Sequence, residues 1–372
     1  MTSAIQPDPA LVPPAPAGTD AAATIRGRLV SNNFDGMRLV FASMVVLFHV
    51  GLLSEAPALA WLRLISATFA VQAFFFVSGF LVVMSYDRSS ALTGYFKKRF
   101  LRIAPAYCVV VIGAAVLLAG MSDLPASAYF TSPDWRSYVV SNLLLSNFAH
   151  PWLPGVFADN VEQAVNGSLW TIKVEVMFYI TVPFIVWAVR RFGYRPALAT
   201  IFVASILWYA GFTLAAHLGG GDLAERLAKQ LPGQLGFFAG GALAYYRTRE
   251  GLSPPPAWAA GAGALVYLVT DGPVGQALAP VCVTLIAYWA AIGVRQLWSA
   301  HRIGDISYGI YLYHFPIAQT LIALGVFAVA PVAGVAAVVA STLMLAFLSW
   351  HLVEKRALRL AHRGNRSSGA NR

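Results

Sequence analysis

Apolar residues in this chain come in runs, not in alternation. Ten runs stand at about 37–54, 60–84, 104–120, 168–189, 197–217, 231–246, 256–271, 277–294, 303–327 and 331–353. Most approach the roughly 20 apolar residues with which an α-helix crosses a bilayer. Strands of a membrane barrel would alternate apolar and polar positions, and no such alternation occurs. The pattern predicts an all-α fold, a polytopic membrane helix bundle of about ten transmembrane helices. Residues 1–30, rich in Pro and Ala with few large apolar groups, read as a disordered tail. They lack a basic start followed by an apolar core, so no cleaved signal peptide is expected. A membrane domain is expected over 31–356 and a basic tail over 357–372.

Composition sharpens the class. Hydrophobic residues make up 58% of the 372 and charged ones 11%, against about 25% charged in soluble domains. An ordinary soluble enzyme is excluded. The net charge of +10 would suit nucleic acid, but its distribution has another reading. With a cytoplasmic N-terminus, 20 of the 26 Lys and Arg fall in inside segments. The positive-inside rule therefore favours both termini in the cytoplasm, and no nucleic-acid partner is needed. The two cysteines, Cys108 and Cys282, lie in apolar runs, which leaves no disulfide framework and no thiolate metal site. No internal repeat is visible, which disfavours an inverted-repeat transporter.

Ionisable residues inside spans are costly and mark function by default. The first span carries Asp35, Arg38 and His49. Eleven residues, almost three whole turns, separate Arg38 from His49, so both point one way, roughly 16 Å apart along the axis. Asp35 and Arg38 suit an interfacial ion pair equally well. Before the third span, Lys98, Arg99 and Arg102 cluster at the predicted inner surface. Guanidinium pairs suit phosphate, and the same residues suit plain anchoring at lipid headgroups. Glu175 lies about two turns into the fourth span, at a depth similar to that of His49. Lys173, two residues before it, does not face it on a helix. In the ninth span Ser307, Tyr311 and His314 recur on one face, and Pro316 follows. Their bland role is hydrogen bonding between helices. His351 reads as interfacial. No His pair has metal-ligand spacing, so no metal is expected. In the long outer segment 121–167, Trp135, Tyr138 and Trp152 suit either a sugar or an interfacial aromatic belt.

Taken together, these segments resemble the acyltransferase-3 family of integral membrane acyltransferases, which includes O-antigen and nodulation-factor acetylases. The resemblance covers about residues 32–355. It rests on Asp35-Gly36-Met37-Arg38 with Arg38 to His49, on FFFVSGFLV with Ser78, and on KKRFLRIAPAY with Arg99, Arg102, Pro105 and Tyr107. It rests also on SLWTIKVEVMFYI with Trp170, Glu175, Phe178 and Tyr179, and on GDISYGIYLYHFPI with Tyr308 and His314. Each string alone is weak; five in order on predicted spans are a strong signal. Val176 stands where a second Glu is common in the family, so Glu175 is the one carboxylate to expect there. Lys173 is also unusual for the family. Many relatives carry a fused C-terminal esterase-like domain, and the end of this chain after the tenth run implies that it acts alone or with a separate partner.

The resemblance implies transfer of an acyl group, acetyl by expectation, from cytoplasmic acyl-CoA to a hydroxyl of a cell-surface glycan or related acceptor. His49 and Glu175 are the implied catalytic residues, and Arg38, Lys98, Arg99 and Arg102 the implied CoA-binding set. Asp35, Ser78, Tyr107, Trp170, Tyr311 and His314 are implied to support them. His49 suits a general base, since imidazole titrates near neutral pH; an acyl-His intermediate is the alternative. The implied surroundings are the bacterial inner membrane and polysaccharide-assembly proteins. Two other classes stay open: a proton-coupled transporter or flippase, and a non-catalytic scaffold in polysaccharide export.

Overall fold

The computed structural model describes residues 32–89, 91–297 and 304–360, with Gly27 and Leu29 ahead of them. Most of the expected N-terminal tail and most of the C-terminal one lie outside the described residues; Gly27 and Leu29, within the expected disordered tail, are helical. Among the described residues the chain is helical, with no strand. The longer helices are α1 (Phe34–Leu53), α2 (Ala67–Asp87) and α3 (Leu92–Leu117), then the short α4 (Ala126–Thr131) and α5 (Pro133–Leu143). There follow α6 (Trp170–Phe192), α7 (Tyr194–Ala215), α8 (Gly221–Ala228), α9 (Leu231–Arg249), α10 (Ala257–Val269) and α11 (Gly272–Tyr288). The chain ends in α12 (Ser307–Ala323), α13 (Val326–Val329) and α14 (Pro331–Ser349).

Among the described residues each of the ten apolar runs holds a helix, and seven of these regions are long and apolar enough to cross a membrane. The protein is an all-α, polytopic membrane helix protein. The three helices outside that set are α9, α10 and α12. The 13 residues of α10 extend about 20 Å, short of a 30 Å hydrocarbon core. α9 and α12 are buried along most of their length. Helices surrounded by protein can carry Gln234, His314 and Gln319 and need no lipid-like exterior. Four helices, α5, α9, α11 and α14, have a proline at their first or second position, where its missing N–H has no helical partner to lose.

Contacts divide the chain into two interleaved units. The first comprises residues up to Arg38, then Thr68–Ser90 and Val174–Arg302. Its centre is the packing of α2, α6 and α9. Phe178 of α6 meets Phe75 edge-on and stacks on Phe238. α2 and α9 approach so closely that a Cβ on Gly79 would strike the Phe238 carbonyl, and one on Gly241 the Phe76 carbonyl. Reciprocal glycines of this kind let two membrane helices pack backbone to backbone. Asn33 anchors the other end: its side-chain amide donates to the carbonyls of Ala290, Val294 and Arg295, and its oxygen accepts from the Leu297 N–H.

The second unit comprises Leu39–Ala67, Ala91–Lys173 and the chain from Ile303 onward. Here residues 121–167 fold onto α3. Tyr129 and Trp135 both donate to the Ala115 carbonyl, and Tyr107 donates to that of Asn142. Tyr138 is buried and Trp152 is half exposed. Residues 160–171 then strap α12. Asn160 donates to the Gln319 side chain, and Gln319 donates to the Glu162 and Ala164 carbonyls. Pro316 has no N–H for the Leu312 carbonyl one turn back, and the Asn166 amide donates to that carbonyl instead, at 2.9 Å.

Candidate active site

His49 and His314, 265 residues apart in sequence, meet in the second unit. His49 Nδ1 lies 2.9 Å from His314 Nε2, with the rings 15° from parallel and the Phe315 ring edge-on to His49. The hydrogen bonds assign the protons. His314 Nδ1 lies 3.2 Å from the Ile310 carbonyl, which can only accept, so Nδ1 carries the hydrogen. His314 Nε2 is then an acceptor, and His49 must donate to it from Nδ1. That leaves His49 Nε2 with its lone pair free for an incoming proton. His314 is fully buried and His49 half-buried, so the inner ring orients the outer one.

The strap on α12 fixes the inner ring. Tyr311, one turn before His314, donates to the Ser168 carbonyl at 3.2 Å and accepts from Thr171 at 2.7 Å. Ser168, in turn, donates to Asn166. Tyr311 and His314, both expected from sequence, are thus brought to one site. Ser307, placed on the same face by its spacing, instead donates to Asp305 at 2.6 Å.

Arg102 is the centre of a second cluster in this unit. Its two terminal nitrogens bond Asp305 at 2.6 Å and Glu354 at 3.2 Å. Its guanidinium also lies 5.5 Å from the Tyr308 ring centre and 5.9 Å from that of Trp350. Glu354 is buried and also accepts from Ser349. Gly304, with φ of +85°, lets the chain pass directly against the Trp350 ring before Asp305. Of the other cations of this stretch, Lys98 and Arg99 are also half-buried, Arg99 lying 6.0 Å from the Tyr95 ring centre. Tyr107 sits deeper, bonded to residues 121–167 as described. Trp170 begins α6, half-buried, and the Lys173 ammonium lies 4.7 Å from the Phe148 ring centre, a cation–π contact.

In the first unit Ser78 donates to Glu175 at 2.6 Å. Gly79, the next residue, is the one against the Phe238 carbonyl, so the tight α2–α9 contact fixes the position of Ser78. Asp35 and Arg38 are half-buried on the opening turns of α1.

Sequence reasoning missed Asp305 and Glu354 as partners of Arg102, and Asn166 and Thr171 as supports of α12. Asp305 stood inside the GDISYG string and Glu354 at the end of the last apolar run, but what identifies them is contact with a helix some 200 residues away. Among the described residues no three His, Cys, Asp or Glu side chains gather as a metal site.

The structure is thus a polytopic helix protein with a histidine pair between a span and a strapped core helix. The chain matches the acyltransferase domain of the acyltransferase-3 family over residues 31–351, and it belongs to that family. It is 31% identical to nodulation protein 10 of Rhizobium leguminosarum bv. viciae, over 88% of this chain and 94% of that protein. It is 28% identical to an O-acetyl transferase of Shigella phage Sf6, over 88% and 96% of the two chains. A shorter match, 27% identical over 34% of this chain, links it to acyltransferase MdmB of Streptomyces mycarofaciens, covering 30% of that protein. No solved structure gives a significant match.

Proposed function

We propose that the protein is a membrane O-acyltransferase of the bacterial cytoplasmic membrane, moving an acetyl group from cytoplasmic acetyl-CoA to a hydroxyl of a cell-surface glycan. Family membership supports acyl transfer, and the relative from phage Sf6, an O-acetyl transferase, supports a hydroxyl acceptor and an acetyl group. The observation that carries the reading is the His49–His314 pair with the free Nε2 of His49.

In this mechanism His49 Nε2 takes the proton of the acceptor hydroxyl as its oxygen attacks the thioester carbonyl. The C–O bond forms and the C–S bond breaks. The leaving thiolate then takes the proton from the imidazolium, which restores the neutral ring. While His49 is charged, its Nδ1–H bond to His314 becomes charge-assisted and stronger, so His314 favours the transition state over the ground state. Glu175, held by Ser78, is assigned to the same reaction on the strength of its span motif.

Arg38, Lys98, Arg99 and Arg102 are the proposed contacts for the CoA phosphates. Two carboxylates already engage Arg102, so in this proposal Arg102 also holds the helix that bears Lys98 and Arg99. Asp35 and Tyr107 support the set, and Trp170 begins the span that bears Glu175.

The test is acetyl-CoA turnover by purified protein in nanodiscs, beside calorimetric binding of acetyl-CoA. His49→Ala is expected to lower turnover by about 10²–10⁴-fold with donor binding intact. His314→Ala should approach that loss in kcat, and His314→Gln, whose carbonyl can accept from Nδ1, should recover part of it. Full turnover by His49→Ala overturns the assignment.

A further inference from the structure

The first unit holds a cavity of about 320 Å³ lined by Asp87, Arg190, Tyr194, Tyr246, Arg249 and Glu250, with Val189 and Gly193. That volume is at the lower end for small-ligand sites. It lies where α2, α6 and α9 end and α7 begins. Asp87 accepts from Arg190 at 3.4 Å, from Arg249 at 2.5 Å and from Tyr245 at 3.0 Å. Glu250 accepts from Tyr194 at 2.7 Å.

The lining is rich in uncommitted donors. A guanidinium has five N–H groups, and Arg190 and Arg249 each direct one nitrogen to Asp87. Tyr246 is 6% exposed, and its buried hydroxyl has no hydrogen-bond partner. A buried donor without an acceptor is costly, and an anionic oxygen beside two guanidiniums is the acceptor that would complete it. Three donors already satisfy Asp87, so it orients the arginines while adding little repulsion. Arg88, Arg191, Arg195 and Arg247 stand within two residues of lining positions in sequence and raise the local positive charge.

The approach to the cavity is apolar. Phe184 and Trp187 precede Arg190 at successive three-residue steps on α6 and are 68% and 63% exposed. We propose that this cavity is a lipid site, in which Arg190, Arg249 and the Tyr246 hydroxyl hold the phosphate of an anionic glycerophospholipid while its acyl chains run along Phe184 and Trp187. Basic pockets between spans at the inner membrane edge suit such headgroups.

The experiment is native mass spectrometry of the whole chain released from detergent, titrated with phosphatidylglycerol, phosphatidylcholine and soluble glycerol phosphate. One phosphatidylglycerol per chain should stay bound. Arg190→Gln/Arg249→Gln should weaken it at least tenfold. Tyr246→Phe removes only an unpartnered hydroxyl, so it should weaken binding several-fold with an unchanged melting temperature, and it keeps the test open if the double variant misfolds. Equal binding of phosphatidylcholine overturns the anion preference. Glycerol phosphate binding as tightly as the lipid overturns the lipid as its source. Unchanged phosphatidylglycerol binding by Tyr246→Phe and by a folded double variant overturns the site.

Discussion

Around Asp87 one carboxylate gathers two guanidiniums, whereas around Arg102 two carboxylates gather one. The residue types are the same and the stoichiometry is inverted. At Arg102 both terminal nitrogens are engaged, the flanking rings of Tyr308 and Trp350 close in, and Glu354 is 1% exposed. At Asp87 the arginine side chains are 61% and 44% exposed, and each directs one nitrogen to the carboxylate. The first arrangement is a clamp and the second an open hand. A basic residue near a membrane edge is therefore assigned by counting its partners, not by its charge.

This contrast can be broken by substitution. Glu354→Ala leaves Arg102 with one carboxylate in an enclosed setting, and removing one partner of a buried ion pair costs about 3–5 kcal/mol. A large fall in the melting temperature of the detergent-solubilised protein is the expected readout; a change of only a degree or two would make the clamp an ornament. Asp87→Asn should cost less, about 1–3 kcal/mol, because water solvates the released arginines and Tyr245 bears most of the loss. Its effect should show chiefly as faster hydrogen exchange at the ends of α2 and α9. Smallest is Glu225→Gln, which removes the exposed Lys229 pair at 3.7 Å; about 0.5 kcal/mol or less is expected. If its melting shift matched that of Glu354→Ala, enclosure would not be what separates these clusters.

The longer helices were legible because each was written as an apolar run, and every run holds one; the short α4, α5 and α8 lie between runs. The spans were less so. α9 is wrapped by protein, and burial removes the hydropathy signal that lipid imposes; α12 is apolar but only 17 residues long. The candidate residues were legible as types and not as partners. Ser78 and Glu175 each stood in a recognisable string, yet their 2.6 Å bond joins α2 to α6 across 97 residues, a relation that no local pattern encodes. His49 and His314 were named for separate reasons. Their pairing follows from the strap of residues 160–171 on α12, and that strap is built of Asn, Gln and backbone carbonyls that read as ordinary loop. Arg102 looked like a free phosphate ligand because Asp305 and Glu354 are distant in sequence.

The Asn166 amide on the Leu312 carbonyl bears on how the chain is made. Synthesis runs from the N-terminus, so Asn166 leaves the ribosome well before α12 exists. A proline-bearing helix enters a lipid environment with one carbonyl bare, and nothing in lipid can answer it. Its acceptor is met by a loop that was finished about 150 residues earlier. The segment 121–167 is thus a mould that waits for its casting, and α12, the helix bearing His314, takes its final form only on arrival there.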